Sequence, residues 1–243
     1  PFNAGKVRRV SLRPEDVAAV VFWTRNGTAL ADRAVELEKS GLPFVAHITV
    51  TGLGSPLEAG PRSLQERLDG FRRLADAIGP ERVWWRYDPI VLGDRLGMDH
   101  HIRTFELLCR SLAGATDRVT FSLLDPYRKT TRRLAKLEGD VGRIDYMEGS
   151  EPDVVALMSA MASLGRSVGL RPYSCCEPLI PEASGITQGS CIDAASLNRL
   201  FGLSLPTTKD PGQRASCHCA RSVDIGTNDT CRSGCAYCYA TRG

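Results

Sequence analysis

Short apolar segments alternate with longer amphipathic ones along this chain, and few folds accommodate that order. β-Branched and aromatic residues predict strands at residues 20–24, 45–51, 83–88, 119–124, 170–175 and 223–226. Helical patterns lie between them, at residues 29–39, 63–78, 99–112, 129–137, 153–164 and 193–201. Strands that are separated by helices pair in parallel through right-handed crossovers. We therefore expect an α/β protein with about six parallel strands.

Helix boundaries carry their own signals. Ser63 and Glu66 have the spacing of a capping box, so the helix at 63–78 is predicted to begin there. Asp99 and Asp193 are predicted to cap the helices that follow them.

The predicted strands are polar on one face. In the second strand His47, Thr49 and Thr51 share a face, and in the third strand Arg86 and Asp88 do. A parallel sheet covered by helices on both faces has nearly continuous apolar strands, and a closed eight-stranded barrel has an apolar interior. We therefore expect a partial (β/α) barrel whose polar face holds a ligand at the carboxyl ends of the strands.

The cysteines are unevenly distributed. The chain has nine, and eight of them lie between Cys175 and Cys238, whereas Cys109 stands alone. A disulfide-stabilised secreted domain spreads its cysteines through a small fold, so this clustering favours metal ligation in a reducing compartment, the cytoplasm. No apolar segment approaches the roughly 20 residues that span a bilayer, and we expect no membrane association. A net charge of +3 is too small to indicate a nucleic-acid partner by itself.

Three cysteines near the end of the sequence form the most specific motif. Cys231, Cys235 and Cys238 are separated by three and then two residues, with Tyr237 directly before the last. Thiolates are the usual ligands of iron–sulfur clusters and of zinc. A structural zinc site is the alternative, and it needs a fourth ligand. Three upstream side chains could supply that ligand: Cys217, His218 and Cys219.

This spacing resembles the signature of the radical S-adenosylmethionine enzymes. In that superfamily three cysteines hold a 4Fe–4S cluster and leave its fourth iron open to S-adenosylmethionine. The resemblance implies cleavage of that cofactor to a 5′-deoxyadenosyl radical, which abstracts a hydrogen atom from an unknown substrate. It also implies a reductant such as flavodoxin or ferredoxin.

The chain also resembles a bacterial family known as domain of unknown function 1848. The matching segments are residues 20–26, 48–52, 85–90, 122–125, 189–193, 213–214 and 224–226. Residues 86–90 are similar, in addition, to a segment of spore photoproduct lyase-like radical S-adenosylmethionine proteins. The family resemblance implies one radical S-adenosylmethionine-like domain over residues 1–243, with the cluster loop at the C-terminus as in a circular permutation. It further implies a cysteine-rich metal-binding part at 175–243, and a strand–helix unit that precedes residue 1 in other members.

Polar residues at predicted strand ends are the candidates for catalysis. Arg86, Asp88 and Asp125 are the proposed catalytic residues, with Arg86 facing a carboxylate such as that of the methionine moiety. The alternative for Arg86 and Asp88 is a mutual ion pair. His47 is a candidate proton donor, or else a hydrogen-bonded structural histidine.

A second set of residues is proposed to bind the cofactor. These are Thr49, Thr51, Glu177 and Tyr237. The two threonines could bond the ribose or the amino group, and the alternative is that they are ordinary strand residues.

The remaining cysteines suggest a second metal site, for zinc or a second iron–sulfur cluster. Its proposed ligands are Cys175, Cys191, Cys217 and Cys219, with Cys176 as a further candidate. The alternative places Cys175 or Cys176 in the core as small hydrophobic residues. Cys109 is predicted to be in the core.

One predicted helix is strongly basic. It carries Arg128, Lys129, Arg132, Arg133 and Lys136, which could contact nucleic-acid phosphates or could form an ordinary solvated face. Two other functions therefore stay open: a zinc-stabilised nucleic-acid-binding module, and an iron–sulfur electron-transfer protein. His100 and His101 are expected to be exposed.

Overall fold

The computed structural model describes residues 9–177 and 184–241. Within these ranges the strands are β1 (Val20–Thr24), β2 (Phe44–Thr49), β3 (Val83–Ile90), β4 (Leu92–Gly93), β5 (Arg118–Leu123), β6 (Ile144–Asp145), β7 (Arg171–Ser174) and β8 (Thr187–Gln188). The α-helices are α1 (Gly27–Ala31), α2 (Ala34–Lys39), α3 (Leu64–Ile78), α4 (Met98–Leu112), α5 (Arg128–Ala135), α6 (Glu138–Val141), α7 (Pro152–Ser167) and α8 (Ala194–Phe201). A short 3₁₀ helix, Pro80–Arg82, leads into β3.

Six strands form one parallel sheet in the order β1-β2-β3-β5-β7-β8. Each neighbouring pair in it is parallel, whereas β4 and β6 make a separate antiparallel pair. The strands of the sheet follow one another in chain order, so their carboxyl ends lie along one edge. The predicted α/β class and the six-stranded parallel sheet are therefore confirmed.

The prediction of a strand at residues 223–226 was wrong. This segment is not extended into a ladder, and Val223 and Ile225 are 43% and 55% exposed. The Asp224 carboxylate accepts a hydrogen bond from the backbone N–H of Gly226 at 2.7 Å, a local turn that competes with strand pairing. The sixth strand of the sheet is instead β8, only two residues long.

The helix predictions were mostly accurate. The capping box of Ser63 and Glu66 is present at the start of α3, and Asp193 caps α8. The prediction that Asp99 caps α4 was wrong, because Gly97 is the N-cap and Asp99 lies in the first turn. A carboxylate there still interacts favourably with the helix dipole. The predicted helix at 29–39 is divided into α1 and α2.

The main hydrophobic core lies between the sheet and helices α3, α4 and α7. Its largest members include Trp85 and Phe105, whose rings stack with centroids 5.0 Å apart. Cys109 is buried in this core, as predicted. Burying each large apolar side chain contributes about 1.5–3 kcal/mol, so this layer is the main source of stability.

His101 is fully buried, which contradicts the expectation that it is exposed, and His100 is half-buried. The His101 Nδ1 is 2.9 Å from the Tyr87 hydroxyl, and its Nε2 is 2.8 Å from the Val91 carbonyl oxygen. Both ring nitrogens therefore have partners inside the core. Burial lowers the pKa of His101 to about 4.

The opposite face of the sheet is polar, as the strand alternation predicts. It presents His47 and Arg86 from adjacent strands, both buried. Helix α8 covers part of this face, where Leu197 packs with Trp84. The Arg118 guanidinium lies 4.3 Å from the centre of the Trp84 ring, so aromatic and charged groups share this layer.

None of the helices described for this chain is long and apolar enough to cross a bilayer.

Candidate functional site

The loop of residues 231–238, which we call the cysteine loop, lies beside the segment that follows β2. Cys235 forms an isolated antiparallel bridge with Glu58, and the Ala236 N–H donates to the Leu57 carbonyl at 2.9 Å. A Cβ at Gly60 would lie only 2.5 Å from the Ser233 carbonyl oxygen, so the two backbones touch. The cysteine loop is thus positioned at the carboxyl end of β2.

Glu58 joins this loop to the sheet. Its carboxylate accepts hydrogen bonds from Tyr237 at 2.5 Å, from Thr51 at 2.5 Å and from Arg67 at 2.6 Å. It is also paired with Arg25 at 2.5 Å, and the Arg25 guanidinium donates to the Tyr237 hydroxyl at 2.6 Å. We call these five residues the Glu58 network. Arg25 and Thr51 follow β1 and β2, so the network lies at the carboxyl edge of the sheet.

The network fixes the protonation states of its members. Burial alone would raise the pKa of Glu58, but Arg25 and the hydrogen bonds from Thr51, Tyr237 and Arg67 lower it below its usual value. Burial raises the pKa of Tyr237 well above its usual value, and the nearby charge of Glu58 acts in the same direction. Tyr237 is therefore a neutral hydroxyl bonded to a carboxylate.

Helix α5 holds the other side of the cysteine loop. The Arg133 guanidinium donates to the Cys238 carbonyl, and it also donates to the Thr241 hydroxyl at 2.9 Å. Tyr239 packs on Tyr127, just before α5, with ring centroids 5.3 Å apart. One arginine of the basic helix thus binds the chain itself.

A cavity of about 280 Å³ borders the same loop. Its lining includes Gly52, Gly54, Ser55, Gly60 and Arg67, together with Glu58. Glu58 and Gly60 also contact the cysteine loop, so cavity and loop share a wall. The cavity is therefore polar, with the Arg67 guanidinium and the occupied Glu58 carboxylate in its wall.

The three thiols differ in exposure. Cys235 is buried, Cys238 is half-buried and Cys231 is exposed. Burial raises the pKa of Cys235. Over residues 9–177 and 184–241, no three His, Cys, Asp or Glu side chains are arranged about a common point for a metal ion. The donor set has the chemistry of an iron–sulfur site, because three thiolates on one loop can bind three irons of a cluster.

A second group of cysteines, the thiol cluster, lies on the polar face of the sheet. Cys175 follows β7, and its Sγ is 3.1 Å from the Sγ of Cys191. The Cys219 thiol interacts with those of Cys191 and Cys217, and the Cys176 thiol interacts with that of Cys217. The four cysteines predicted for a second site, and Cys176, thus form a series of neighbouring thiols, although the described side chains are not arranged about a common metal centre.

Arg86 is the positively charged residue that contacts the thiol cluster. Its guanidinium donates to the Cys191 Sγ at 2.9 Å and forms an ion pair with Asp88. Asp88 also accepts a hydrogen bond from Ser122. Hydrogen bonds from the Cys175 and Cys219 thiols, and then the Arg86 charge, lower the pKa of Cys191 well below its usual value. Arg86 and Asp88 make the mutual ion pair considered above, and they face the thiol cluster.

Comparison with protein families shows which family the chain belongs to. A family model described as a domain of unknown function, DUF1848, matches residues 1–240. The chain belongs to the DUF1848 family.

Other comparisons add little about this DUF1848 protein. A comparison with curated proteins gives no match. A solved chain from work on inhibition of the pneumococcal virulence factor StrH, and on its recognition and hydrolysis of N-glycans, is 10% identical with a TM-score of 0.25. The match covers 61% of this chain and 32% of the solved chain, so this chain spans about a third of the length of the solved one. A likeness this low supports no argument about fold or function.

The other predicted site residues of the DUF1848 chain are spread along the carboxyl edge. Thr49 ends β2 and Thr51 belongs to the Glu58 network. Glu177 accepts a hydrogen bond from the Leu123 N–H at 2.8 Å, and burial raises its pKa to about 7. Asp125 is exposed and forms an ion pair with Arg214 at 3.0 Å. The Asp125 carboxylate is therefore accessible from solvent at this edge, beside Arg214.

His47 is a hydrogen-bonded, buried residue in the DUF1848 structure. Its Nε2 is 2.9 Å from the Cys191 carbonyl oxygen, and its ring stacks on Trp23 at 5.0 Å. Burial, followed by the charge of Arg86, lowers the pKa of His47 to about 4. Since it is neutral near pH 7, it acts as a support for Cys191 more readily than as a donor of a proton.

Sequence reasoning missed Arg25, Glu58 and Arg67. Arg25 follows a predicted strand directly, which is where functional side chains collect in such folds. Glu58 lies in a glycine- and proline-rich loop after the second strand, and that composition alone indicates only a turn. Its partner Tyr237 is 179 residues away, so no local signal links the two.

Proposed function

We propose that this protein is a radical S-adenosylmethionine enzyme that abstracts a hydrogen atom from a substrate held at the carboxyl edge of a partial barrel. One observation carries the proposal. Tyr237, inside the three-cysteine motif, is bonded to Glu58 and Arg25, which places the motif over the carboxyl ends of β1 and β2. Sites of parallel α/β proteins lie at that edge.

The proposed ligands of a 4Fe–4S cluster are Cys231, Cys235 and Cys238. When bound, the cluster would supply the electron for reductive cleavage of S-adenosylmethionine, and the cofactor would supply the hydrogen-atom abstraction. The remaining work falls to the protein, which must orient both groups and exclude water. Cys235 is already buried, whereas the exposure of Cys231 leaves the loop open from outside.

Residues of the Glu58 network are proposed to position the cysteine loop and the cofactor. Glu58 and Arg25 hold the Tyr237 hydroxyl from two sides, and Arg133 holds the Cys238 carbonyl. The adjoining cavity is lined by Arg67, whose guanidinium has N–H groups beyond the one bonded to Glu58 and could bind the carboxylate of an amino-acid moiety. Thr49 and Glu177 remain candidates for the nucleoside part of the cofactor.

The substrate is proposed to lie over β3 and β5, next to the cysteine loop. Asp88 ends the polar face of β3 and Asp125 follows β5. Tyr239, one residue past Cys238, lies within electrostatic reach of both Arg86 and Asp88. A polar substrate bound there would be close to the loop and would meet these charged groups.

A reductant such as flavodoxin or ferredoxin is the proposed partner. The basic helix α5 contacts the cysteine loop through Arg133, while Lys129 and Arg132 are exposed. An acidic reductant would be attracted to this side of the loop by charge complementarity.

The test is anaerobic reconstitution with iron and sulfide, followed by reduction with dithionite and addition of S-adenosylmethionine. We expect 5′-deoxyadenosine, measured by mass spectrometry, from the wild type and from Cys109→Ala. Cys235→Ala is expected to produce none. Cys109 is the matched control, because it is also a buried cysteine but lies in the core on α4.

Two results would contradict the proposal. A chain that takes up zinc in the cysteine loop and no iron would favour the zinc-stabilised module. A cluster on the cysteine loop that gives no deoxyadenosine would favour an electron-transfer protein.

A further inference from the structure

We propose that the thiol cluster binds one zinc ion at a site separate from the cysteine loop, through four residues: Cys175, Cys191, Cys217 and Cys219. This site lies over β3 and β7, on the polar face of the sheet. It goes beyond the proposed function, since its ligands are not those of the cysteine loop.

Three separate segments bring these sulfurs together. Cys175 follows β7, Cys191 precedes α8, and Cys217 and Cys219 come from the segment after α8. Cys217 and Cys219 are buried, with 6% and 7% of their surface exposed. A lone buried cysteine such as Cys109 packs as a small hydrophobic residue, but these thiols come from three segments and contact one another. A shared metal ion explains why they converge.

Hydrogen-bond donors point at two of these sulfurs. The backbone N–H groups of Cys191 and Ile192 point at the Cys219 Sγ, at 3.2 and 3.4 Å. The Arg86 guanidinium donates to the Cys191 Sγ at 2.9 Å. A neutral thiol is a weak acceptor, whereas a thiolate accepts such bonds well. Donors of this kind orient and stabilise sulfur ligands around a metal.

The spacing of the sulfurs favours a single ion. Tetrahedral zinc with Zn–S bonds of about 2.3 Å places its sulfurs about 3.8 Å apart. The Cys175 and Cys191 sulfurs are 3.1 Å apart, so a further separation of less than about 1 Å would bring them to the distance found around zinc. In a four-iron cluster each thiolate binds a different iron, which places the sulfurs much farther apart. The described side chains have no common metal centre, and the proposed ion would turn these thiols towards one.

Two arginines lie near the sulfurs and offset part of the charge of such a site. Four thiolates around a divalent ion carry a net charge of −2, which is costly to bury without compensation. Arg86 and Arg118 both lie on this face of the sheet, and Arg118 is itself paired with Asp193. Arg86 contacts the cluster directly, and its charge is shared between the sulfurs and Asp88.

The experiment uses the full chain with Cys231, Cys235 and Cys238 all changed to Ser, which removes the cysteine loop as a ligand. We expect about one zinc ion per chain by elemental mass spectrometry after purification without chelators. Replacement of the zinc by Co²⁺ is expected to give the visible absorption of tetrahedral cobalt and a sulfur-to-metal charge-transfer band. Adding Cys191→Ser and Cys219→Ser is expected to lower the zinc content about tenfold, whereas adding Cys109→Ser leaves it unchanged.

A second measurement does not depend on how well the variants fold. In the wild type, bound zinc is expected to protect Cys175 and Cys191, which are not fully buried, from alkylation by N-ethylmaleimide, as read from peptide masses. Removal of zinc by a chelator is expected to abolish that protection.

Three results would overturn the proposal: no zinc and no cobalt spectrum in the triple variant, iron and sulfide in place of zinc, or zinc that survives the loss of Cys191 and Cys219. The proposed enzymatic function is tested independently, because zinc in the triple variant without deoxyadenosine from the wild type would sustain this site and reject that activity.

Discussion

Glu58 is the residue on which the packing of the cysteine loop depends most. Two arginines share its carboxylate, Arg67, which is buried, and Arg25, which is largely so, and Tyr237 and Thr51 donate to it. A buried pair contributes little compared with well-packed apolar residues, but removing one partner leaves an uncompensated charge. Here removal of the Glu58 carboxylate would leave two uncompensated positive charges, on Arg25 and Arg67.

Glu58→Gln is therefore expected to lower the free energy of unfolding by about 3–5 kcal/mol. The measurement is urea unfolding followed by circular dichroism. Glu36→Gln is the matched control, because Glu36 pairs with Arg33 on the surface with both side chains mostly exposed; it should change stability by no more than about 1 kcal/mol. Equal effects of the two substitutions would show that the Glu58 network has no special role.

His101 makes the stability of the protein sensitive to acid. Its pKa is lowered from 6.5 to about 4 by burial, so the unfolded chain binds a proton at a pH where the folded chain does not. The contribution is complete above pH 6.5 and is lost as the pH falls towards 4, by about 3 kcal/mol.

We expect His101→Gln to reduce the slope of stability against pH in that interval by about one proton, measured by urea unfolding at several pH values. His218→Gln, at an exposed histidine, is the control for the loss of an imidazole. Burial also lowers the pKa of His47 to about 4, so a second proton is expected in the same interval. A slope that His101→Gln does not alter would refute the role of His101.

Residue roles could be predicted where a local pattern carries them. The position of Cys109 on an apolar helix face predicted its burial, and the alternation in β3 placed Arg86 and Asp88 on one face. The same alternation could not show that Arg86 meets Cys191, because 105 residues separate the two. His101 was missed because its partners, Tyr87 and Val91, lie on another element.

Among the elements, α5 combines two roles on its two sides. Arg133 is half-buried and binds Cys238 and Thr241, while Arg132 next to it is exposed. A basic run would be taken as one solvated face from sequence alone. In the structure one of these cations, Arg133, instead forms hydrogen bonds to Cys238 at the end of the cysteine loop and to Thr241.

Arg133→Ala is expected to loosen the cysteine loop without unfolding the sheet. Amide hydrogen exchange at residues 235–241 should become at least about tenfold faster, because two hydrogen bonds to this segment are lost. Arg132→Ala removes the same charge from the same helix and should leave these amides unchanged. Mass spectrometry of peptides from this region makes the comparison, and equal exchange in both variants would refute it.

Long elements were easier to predict than short ones. Helices α3, α4 and α7 have strong periodic patterns and were found close to their true ends. β8 has only two residues, Thr187 and Gln188, and a segment this short has no alternation that would distinguish it from a loop. Residues 223–226 show the reverse, since Val223 and Ile225 suggest a strand but the turn made by Asp224 prevents one.

At the level of the whole molecule, the carboxyl edge of the sheet gathers residues from the full length of the chain. Arg25 meets Tyr237 across 212 positions, and Arg133 meets Cys238 across 105. The parallel sheet could be predicted, because it follows from the order of local elements. The placement of the cysteine loop could not, because it depends on these distant pairs.

A chain that ends at residue 230 is accordingly expected to lose about 3 kcal/mol of stability or more, because burial of Tyr237 and its hydrogen bonds disappear together. Thermal and urea unfolding measure the loss. A chain that ends at residue 241 keeps every contact described here and serves as the control. If both shortened chains were as stable as the full one, the cysteine loop would contribute nothing to the fold without its metal.

Trp23 gives the molecule an optical property of its own. Of the three tryptophans, Trp23 is 49% exposed, whereas Trp84 and Trp85 are buried. Iodide is therefore expected to quench the emission of Trp23 more than that of the two buried tryptophans. The Trp23 ring stacks on His47, which in turn bonds to the Cys191 carbonyl. Fluorescence from this indole should consequently follow events at Cys191, so the unlabelled protein carries a reporter of its thiol cluster.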